Sequence, residues 1–151
     1  MIIAASLREF ELTIQLTIGT VVIVLTTIFH VISLVALAGL LKRAARSEKL
    51  AGGNTKIIFL LAIAVLFIIG IHTIEAWSWA AIYLAIGEFN ELPQALYFSV
   101  VTLTSLGYGD ITLSAQWQIL GTFEAMGGLI LFGASTAFLL GLMRKLFDLP
   151  D

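Results

Sequence analysis

Three long apolar stretches and one short one organise this chain. Leu12 to Leu41 holds no Asp, Glu, Lys or Arg; Ile57 to Gly87 is interrupted only by His72 and Glu75; Ile111 to Met143 is interrupted only by Glu124. A helix needs about 20 apolar residues to cross a bilayer, so each stretch predicts a spanning helix with room for tilt or overhang. Between the second and third, Glu88 to Asp110 does not read as a plain loop. Pro93 stands where a helix starts, a position that tolerates the missing N–H. The run Gln94 to Leu103 behind it is apolar enough to be buried, yet at 1.5 Å per residue it covers only about 15 Å, half a bilayer. It is expected to enter the membrane, stop midway and return, which requires protein or a water-filled cavity to satisfy the backbone beyond its end. The expected architecture is an all-α membrane protein with three transmembrane helices and one re-entrant helix. Residues 1–56 form an N-terminal spanning helix and a basic loop. Residues 57–151 form a second unit with helices at 57–87, 93–104 and 115–145.

Composition agrees. Hydrophobic residues make up 60% and charged ones 12% of the 151 residues, and the mean hydropathy of +1.05 lies far outside the soluble range. The net charge of −2 matters less than where the charges sit. The connector between the first two spans carries Lys42, Arg43, Arg46, Lys49 and Lys56 against Glu48 alone, and Arg144 and Lys145 close the third. Glu88, Glu91 and Asp110 lie on the opposite side with no basic residue among them. The positive-inside rule then puts the connector and C-terminus in the cytoplasm and the N-terminus outside. The first residues carry Arg8, Glu9 and Glu11 before a long apolar run, so no cleaved secretory signal is expected. Cysteine is absent, which excludes disulfides and thiolate metal sites, and the few basic residues form no patch for nucleic acid.

The segment behind the short helix is Thr104-Ser105-Leu106-Gly107-Tyr108-Gly109-Asp110. Pointing successive carbonyls at one axis requires alternating ordinary and left-handed backbone, and glycine takes the second at little cost. Gly107 and Gly109 stand at alternate positions. Rings of carbonyls from four subunits can replace the water around a potassium ion, with the Ser105 hydroxyl adding oxygen at the inner end. The short helix aims its negative C-terminal end at the same region. One such segment and no internal repeat mean that four copies must assemble.

In these residues the chain resembles the potassium channel family, whose filter reads Thr-Val-Gly-Tyr-Gly, often followed by Asp. Tyr97-Phe98-Ser99-Val100-Val101-Thr102-Leu103-Thr104 lines up without a gap on the pore helix of bacterial two-span channels. Trp117 falls where some of them carry a tryptophan. The likeness covers about residues 57–145, and the first span has no counterpart. It implies a potassium-selective homotetramer in the lipid bilayer of a prokaryotic cell membrane. The permeant K+ would be bound by Thr104, Ser105, Leu106, Gly107, Tyr108 and Gly109, without a cofactor. Asp110, Tyr97 and Phe98 would support the filter, the Tyr108 ring bracing it against Tyr97 or Phe98. Ser105 and Leu106 depart from the family's threonine and its valine or isoleucine, which is expected to alter the inner site without removing an oxygen. A non-selective cation channel and a subunit of a potassium uptake transporter are the competing readings, the second weakened by the single filter. No catalytic constellation is present: Ser105 has no histidine base beside it, and His30 and His72 lack metal-ligand spacing.

Two further groups stand out. Gly133, Ala137 and Gly141 share one face of the last helix, and Gly128 is a candidate hinge, the competing reading being close helix packing through small residues. His72, Glu75 and Glu124 are costly at membrane depth. They form a candidate polar cluster, either protonation-sensitive or a fixed hydrogen-bond clamp to Ser, Thr or Trp of the pore helix. His30 is expected to be a lone packed polar residue, and Trp77, Trp79 and Tyr83 to be interface anchors. No arginine repeat marks a voltage sensor in the first span, and with about seven residues behind the last span no nucleotide- or calcium-binding domain is expected there.

Overall fold

The computed structural model describes residues 2–46 and 53–147, with side chains from residue 9 onward. Glu48 and Lys49 of the basic connector lie outside the described residues. Four helices follow in order: α1 (Ile2–Ala45), α2 (Asn54–Ala85), α3 (Leu92–Leu103) and α4 (Gln118–Leu146), with no strand among the described residues. α1, α2 and α4 are each long and apolar enough to cross a membrane, whereas α3, with 12 residues, is about 18 Å long. α4 starts at Gln118 and not at 115, because residues 115–117 form the turn that opens it. α2 stops at Ala85, and Gly87 and Glu88 close it. Gly87 has φ of 81°, its N–H donates to the Leu84 carbonyl (3.1 Å), and the Glu88 N–H donates to the Tyr83 carbonyl (3.0 Å). This is a Schellman ending with glycine in its left-handed position.

Hydroxyls within the long helices fold back on their own backbone. Thr17, Thr26, Ser33, Thr73, Ser78 and Thr136 each donate to the carbonyl four residues earlier at 2.8 Å. Such bonds let polar residues sit on faces that are otherwise apolar. Those faces stay open in the single chain: Leu25, Ile32, Val35, Ile58, Leu66, Ile69, Leu129 and Ile130 are each at least half exposed, which suits hydrocarbon or a protein neighbour.

The chain divides into two compact units, and α1, α2 and α4 each contribute a segment to both. The first unit, Met1–Thr27 with Ile74–Ile130, contains α3. Its core joins Trp79, Tyr83, Phe89, Phe98, Leu103, Leu113 and Leu120, with Ile18, Val22 and Ile23 of α1 packed alongside. Tyr83 meets Phe98 edge-on at 5.1 Å between ring centroids. Trp79 and Tyr83 therefore do not anchor an interface: both are buried, 1% and 0% exposed, and only Trp77 of the three is open at 48%. Aromatic rings this large contribute most when a core can enclose them. The second unit, Ile28–Thr73 with Leu131–Asp151, is centred on Leu34, Leu37, Leu41, Leu60, Ile68 and Ile71.

Within the first unit, α1 docks on α4 through small and polar positions. The Phe123 side chain lies over Gly19, where a Cβ would fall 2.5 and 2.7 Å from two ring atoms and 2.9 Å from the Phe123 Cβ. Four residues earlier on α1, the Gln15 amide oxygen accepts the Leu120 N–H at 3.2 Å. That N–H belongs to the first turn of α4 and is shared with the Trp117 carbonyl in the turn before it, at 3.0 Å, so Gln15 adds a second acceptor where the regular helical one is missing. Gly19→Ala is expected to cost about 1–3 kcal/mol in overpacking, read by thermal or denaturant unfolding in detergent. Adding Phe123→Leu is expected to recover part of the loss, and an unchanged stability for Gly19→Ala would show that α1 does not pack there.

Candidate functional site

α3 begins at Leu92 with Pro93 in its first turn, behind Glu91 in extended backbone (φ −127°, ψ 134°). Its far end is closed by a second Schellman motif. The Ser105 N–H donates to the Thr102 carbonyl at 2.9 Å, and the Leu106 N–H to the Val101 carbonyl at 3.0 Å. Ser105 occupies the left-handed position with φ of 58°, where α2 uses Gly87. Thr104 assists by donating from its hydroxyl to the Val100 carbonyl at 2.6 Å.

From this cap the backbone alternates. Gly107 and Gly109 have φ of 57° and 75°, while Leu106 and Tyr108 keep ordinary backbone. Ser105, Gly107 and Gly109 thus supply every second residue in the left-handed half of conformational space. Two of the three are legible in the sequence as glycines. The third is not, because a serine there costs about 1–2 kcal/mol that the helix cap must offset. Residues 104–110 are all exposed in the single chain, Leu106 at 56% and Tyr108 at 67%.

Two side-chain clamps hold the flanks of this segment. Tyr97 of α3 donates its phenol proton to Asp110 Oδ2 at 2.7 Å. This hydrogen bond, reinforced by the carboxylate's charge, holds the Tyr97 phenol above its ordinary pKa, so the donor persists. On the other flank Glu88 accepts both the Ser114 N–H (2.8 Å) and the Ser114 hydroxyl (2.7 Å). The loop before α3 is thereby tied to the loop after the segment. In the sequence Glu88 marks only sidedness, and no local pattern pairs it with a residue so far along the chain. Of the two aromatics expected behind Tyr108, Phe98 is enclosed in its own core at 8% exposure, and Tyr97 is the accessible one at 40%.

Beneath the end of α3 the packing reaches backbone contact. A Cβ on Gly128 would stand 1.9 Å from the Leu103 carbonyl oxygen and 2.8 Å from its carbon. Those atoms belong to the last turn of α3 and cannot swing away, so Gly128 is required for packing whether or not α4 also bends there. Gly127 likewise leaves room for Ile23 of α1, whose side chain would lie 3.2 Å from a Cβ at that position. Gly133, Ala137 and Gly141 differ: all three are exposed, and a Cβ on either glycine meets nothing within 4 Å.

The ionisable residues sort into separate groups. Glu124, wholly buried, accepts the Tyr83 phenol at 2.7 Å on Oε2 and lies 2.5 Å from Ser99 Oγ through Oε1. Ser99, on α3, also lies 2.8 Å from the Ala76 carbonyl of α2. α2, α3 and α4 therefore meet at one hydroxyl. His72 belongs to another group, in the second unit. Its Nε2 is 3.2 Å from Ser135 Oγ, which is 3.1 Å from Nε2 of His30, and its ring stacks on Phe132 at 4.0 Å. His30 is accordingly not the lone polar residue expected of it; a single hydroxyl bridges the two imidazoles. Glu75, in the first unit, is 1% exposed and also has an interaction partner. Gln15 gives no signal in the sequence pattern, although an amide in an apolar span always needs a partner.

The sequence model of a protein family described as ion channel matches residues 57–145, well over half of the chain. No curated protein and no solved structure matches the chain.

Replacing Ser105 by glycine is expected to relieve about 1–2 kcal/mol of backbone strain against about 0.5–1 kcal/mol of added chain entropy. Thermal unfolding should show a net gain, and a loss would mean that the serine is unstrained. Gly128→Ala is expected to abolish the folded state in size-exclusion and unfolding assays, whereas Gly133→Ala folds as the parent does. A Gly128→Ala chain with full stability would return that residue to a pure hinge role.

Proposed function

The chain belongs to this ion channel family, and we propose that four copies form a potassium-selective channel in the lipid bilayer with Thr104–Gly109 as the filter. The observation that carries this reading is the alternation of left-handed residues at Ser105, Gly107 and Gly109 directly behind a helix half a bilayer long. Alternating hand turns successive carbonyls to one side of an extended strand, and four strands around one axis stack them into rings that replace the hydration shell of K+. α3 enters the membrane and stops midway, its C-terminal carbonyl end directed at the poorly hydrated centre, where it favours a cation.

The exposed groups of the single chain fit this assembly. Leu106 and Tyr108 are large side chains open at one subunit, and neighbouring copies would enclose them, Tyr108 resting on an accessible Tyr97. Gly133, Ala137 and Gly141 would line the cavity or the neighbour's flank, where absent side chains leave width. The basic connector and the end of α4 face the cytoplasm, and the filter's acidic flank, Glu88, Glu91 and Asp110, faces out and concentrates cations at the mouth. Glu88, Tyr97 and Asp110 act on the filter's shape through their clamps.

Purified protein in liposomes is expected to carry K+ down its gradient. The reversal potential in mixed Na+ and K+ should lie near that of K+, and Gly107→Asp should remove the flux. Flux that persists in Gly107→Asp would sink the filter assignment, and a reversal potential indifferent to the two cations would make the pore non-selective.

A further inference from the structure

We propose that Glu124 is a neutral carboxylic acid whose proton completes the bond from α4 to the pore helix α3, making it the residue that positions that helix. Three oxygen pairs lie at hydrogen-bond distance in one buried group: Tyr83 with Glu124 (2.7 Å), Glu124 with Ser99 (2.5 Å), and Ser99 with the Ala76 carbonyl (2.8 Å). The carbonyl can only accept, and each hydroxyl carries one hydrogen. With an ionised Glu124, Tyr83 and Ser99 supply two hydrogens for three contacts. One oxygen pair would then face each other lone pair to lone pair. With the acid neutral, Glu124 donates to Ser99, Ser99 donates to Ala76, and Tyr83 donates to the other carboxyl oxygen. Every contact is then filled and no hydrogen is left over.

The charges around the group give the same answer independently. Glu124, Ser99 and Tyr83 are each 0% exposed. The facing groups are Tyr83 from α2 and Ser99 from α3, while α1 brings the apolar Ile18, Val22 and Ile23 to this core and its Gln15 is engaged with Leu120. Glu75, next to Ala76 on α2, is the unit's other buried acid. Residues 9–27 and 74–130, the described side chains of this unit, include no Lys, Arg or His. Among these side chains a carboxylate at Glu124 finds no countercharge, and an isolated buried ion is far costlier than a neutral hydrogen-bonded acid. Glutamine has the same shape and reproduces these two contacts, one amide N–H donating to Ser99 while the oxygen accepts from Tyr83, but it brings a second N–H for which the group holds no acceptor.

The flux measurements below rest on the channel reading, whereas the spectroscopic and stability measurements are independent of it. Infrared spectra of the protein in lipid vesicles at neutral pH are expected to show a buried carboxylic-acid C=O band that is absent from Glu124→Gln. Glu124→Gln should retain K+ flux and lie closer in thermal stability to the parent than Glu124→Ala does, its second amide N–H being the one group left without a partner. Glu124→Ala and Ser99→Ala, which break the chain of bonds, should lose roughly tenfold or more in the folded fraction at a fixed denaturant concentration. As pH is raised far enough to remove the proton, flux through the parent should fall while Glu124→Gln stays level. The proposal is overturned if the band is unchanged in Glu124→Gln, or if Glu124→Gln is as damaged as Glu124→Ala. A parent that carries no K+ would defeat the channel reading alone, since the infrared and stability arms still report on the proton.

Discussion

The organisation of the first unit depends on how α3 ends. A helix end leaves four carbonyls without helical partners, and each one that is buried unsatisfied costs stability. The chain meets this cost locally. Val101 and Thr102 carbonyls take the N–H groups of Leu106 and Ser105, and Val100 takes those of Thr104, backbone and hydroxyl. The closure forces Ser105 into the left-handed region, and that same conformation begins the alternation continued by Gly107 and Gly109. One device thus ends the helix and starts the strand of carbonyls. Because Gly128 lies against the Leu103 carbonyl, the position of this turn is set by backbone on backbone, the least compressible contact available to a protein.

Polar groups in the first unit are arranged under an unusual restriction, since none of its described side chains is cationic. The hydrogen bonds among these side chains are made by hydroxyls, amides and carboxyls that share hydrogens: Gln15 with a helix start, Tyr97 with Asp110, Glu88 with Ser114, Ser99 with Glu124. Such bonds have fixed directions and short reach. They hold loops and helix ends in register more tightly than an exposed ion pair would. They also suit a cation pathway, because a fixed positive charge near the carbonyl strand would oppose the ion that the proposed filter has to attract.

Much of this is legible in the sequence because membranes make strong demands. Long uncharged runs mark three spanning helices, the length of Gln94–Leu103 marks the short one, and Gly107 and Gly109 mark two of three left-handed positions. Boundaries drift where caps decide them: Gly87 closes α2 and does not belong to it. Ser105 is invisible as a left-handed residue because serine carries no such signal. Trp79 and Tyr83 are misplaced by the sequence pattern for a related reason. Periodicity cannot tell a lipid-facing aromatic from a core one when every face of a helix is apolar. The partners of Glu124 lie 25 and 41 residues away in sequence and that of Gln15 lies 105 away, and no single-chain pattern encodes pairings at that separation.

The first helix is the part for which the family likeness offers nothing, since the matched region begins at residue 57. Its contacts nonetheless give it a physical task. Gln15 completes the first turn of α4, Gly19 admits the Phe123 ring, and Ile23 fills the space left by Gly127. These three positions recur every four residues along one face of α1, so the helix reads the stretch of α4 that carries Glu124 and leads to Gly128. The same stretch supports α3 from below through Gly128 and from the side through Glu124. A displacement of α1 would therefore be felt at the end of α3 through α4, as well as through the core on which Ile18, Val22 and Ile23 pack. That makes the added helix a lever on the proposed filter's support, placed where any lipid or partner that binds α1 would act.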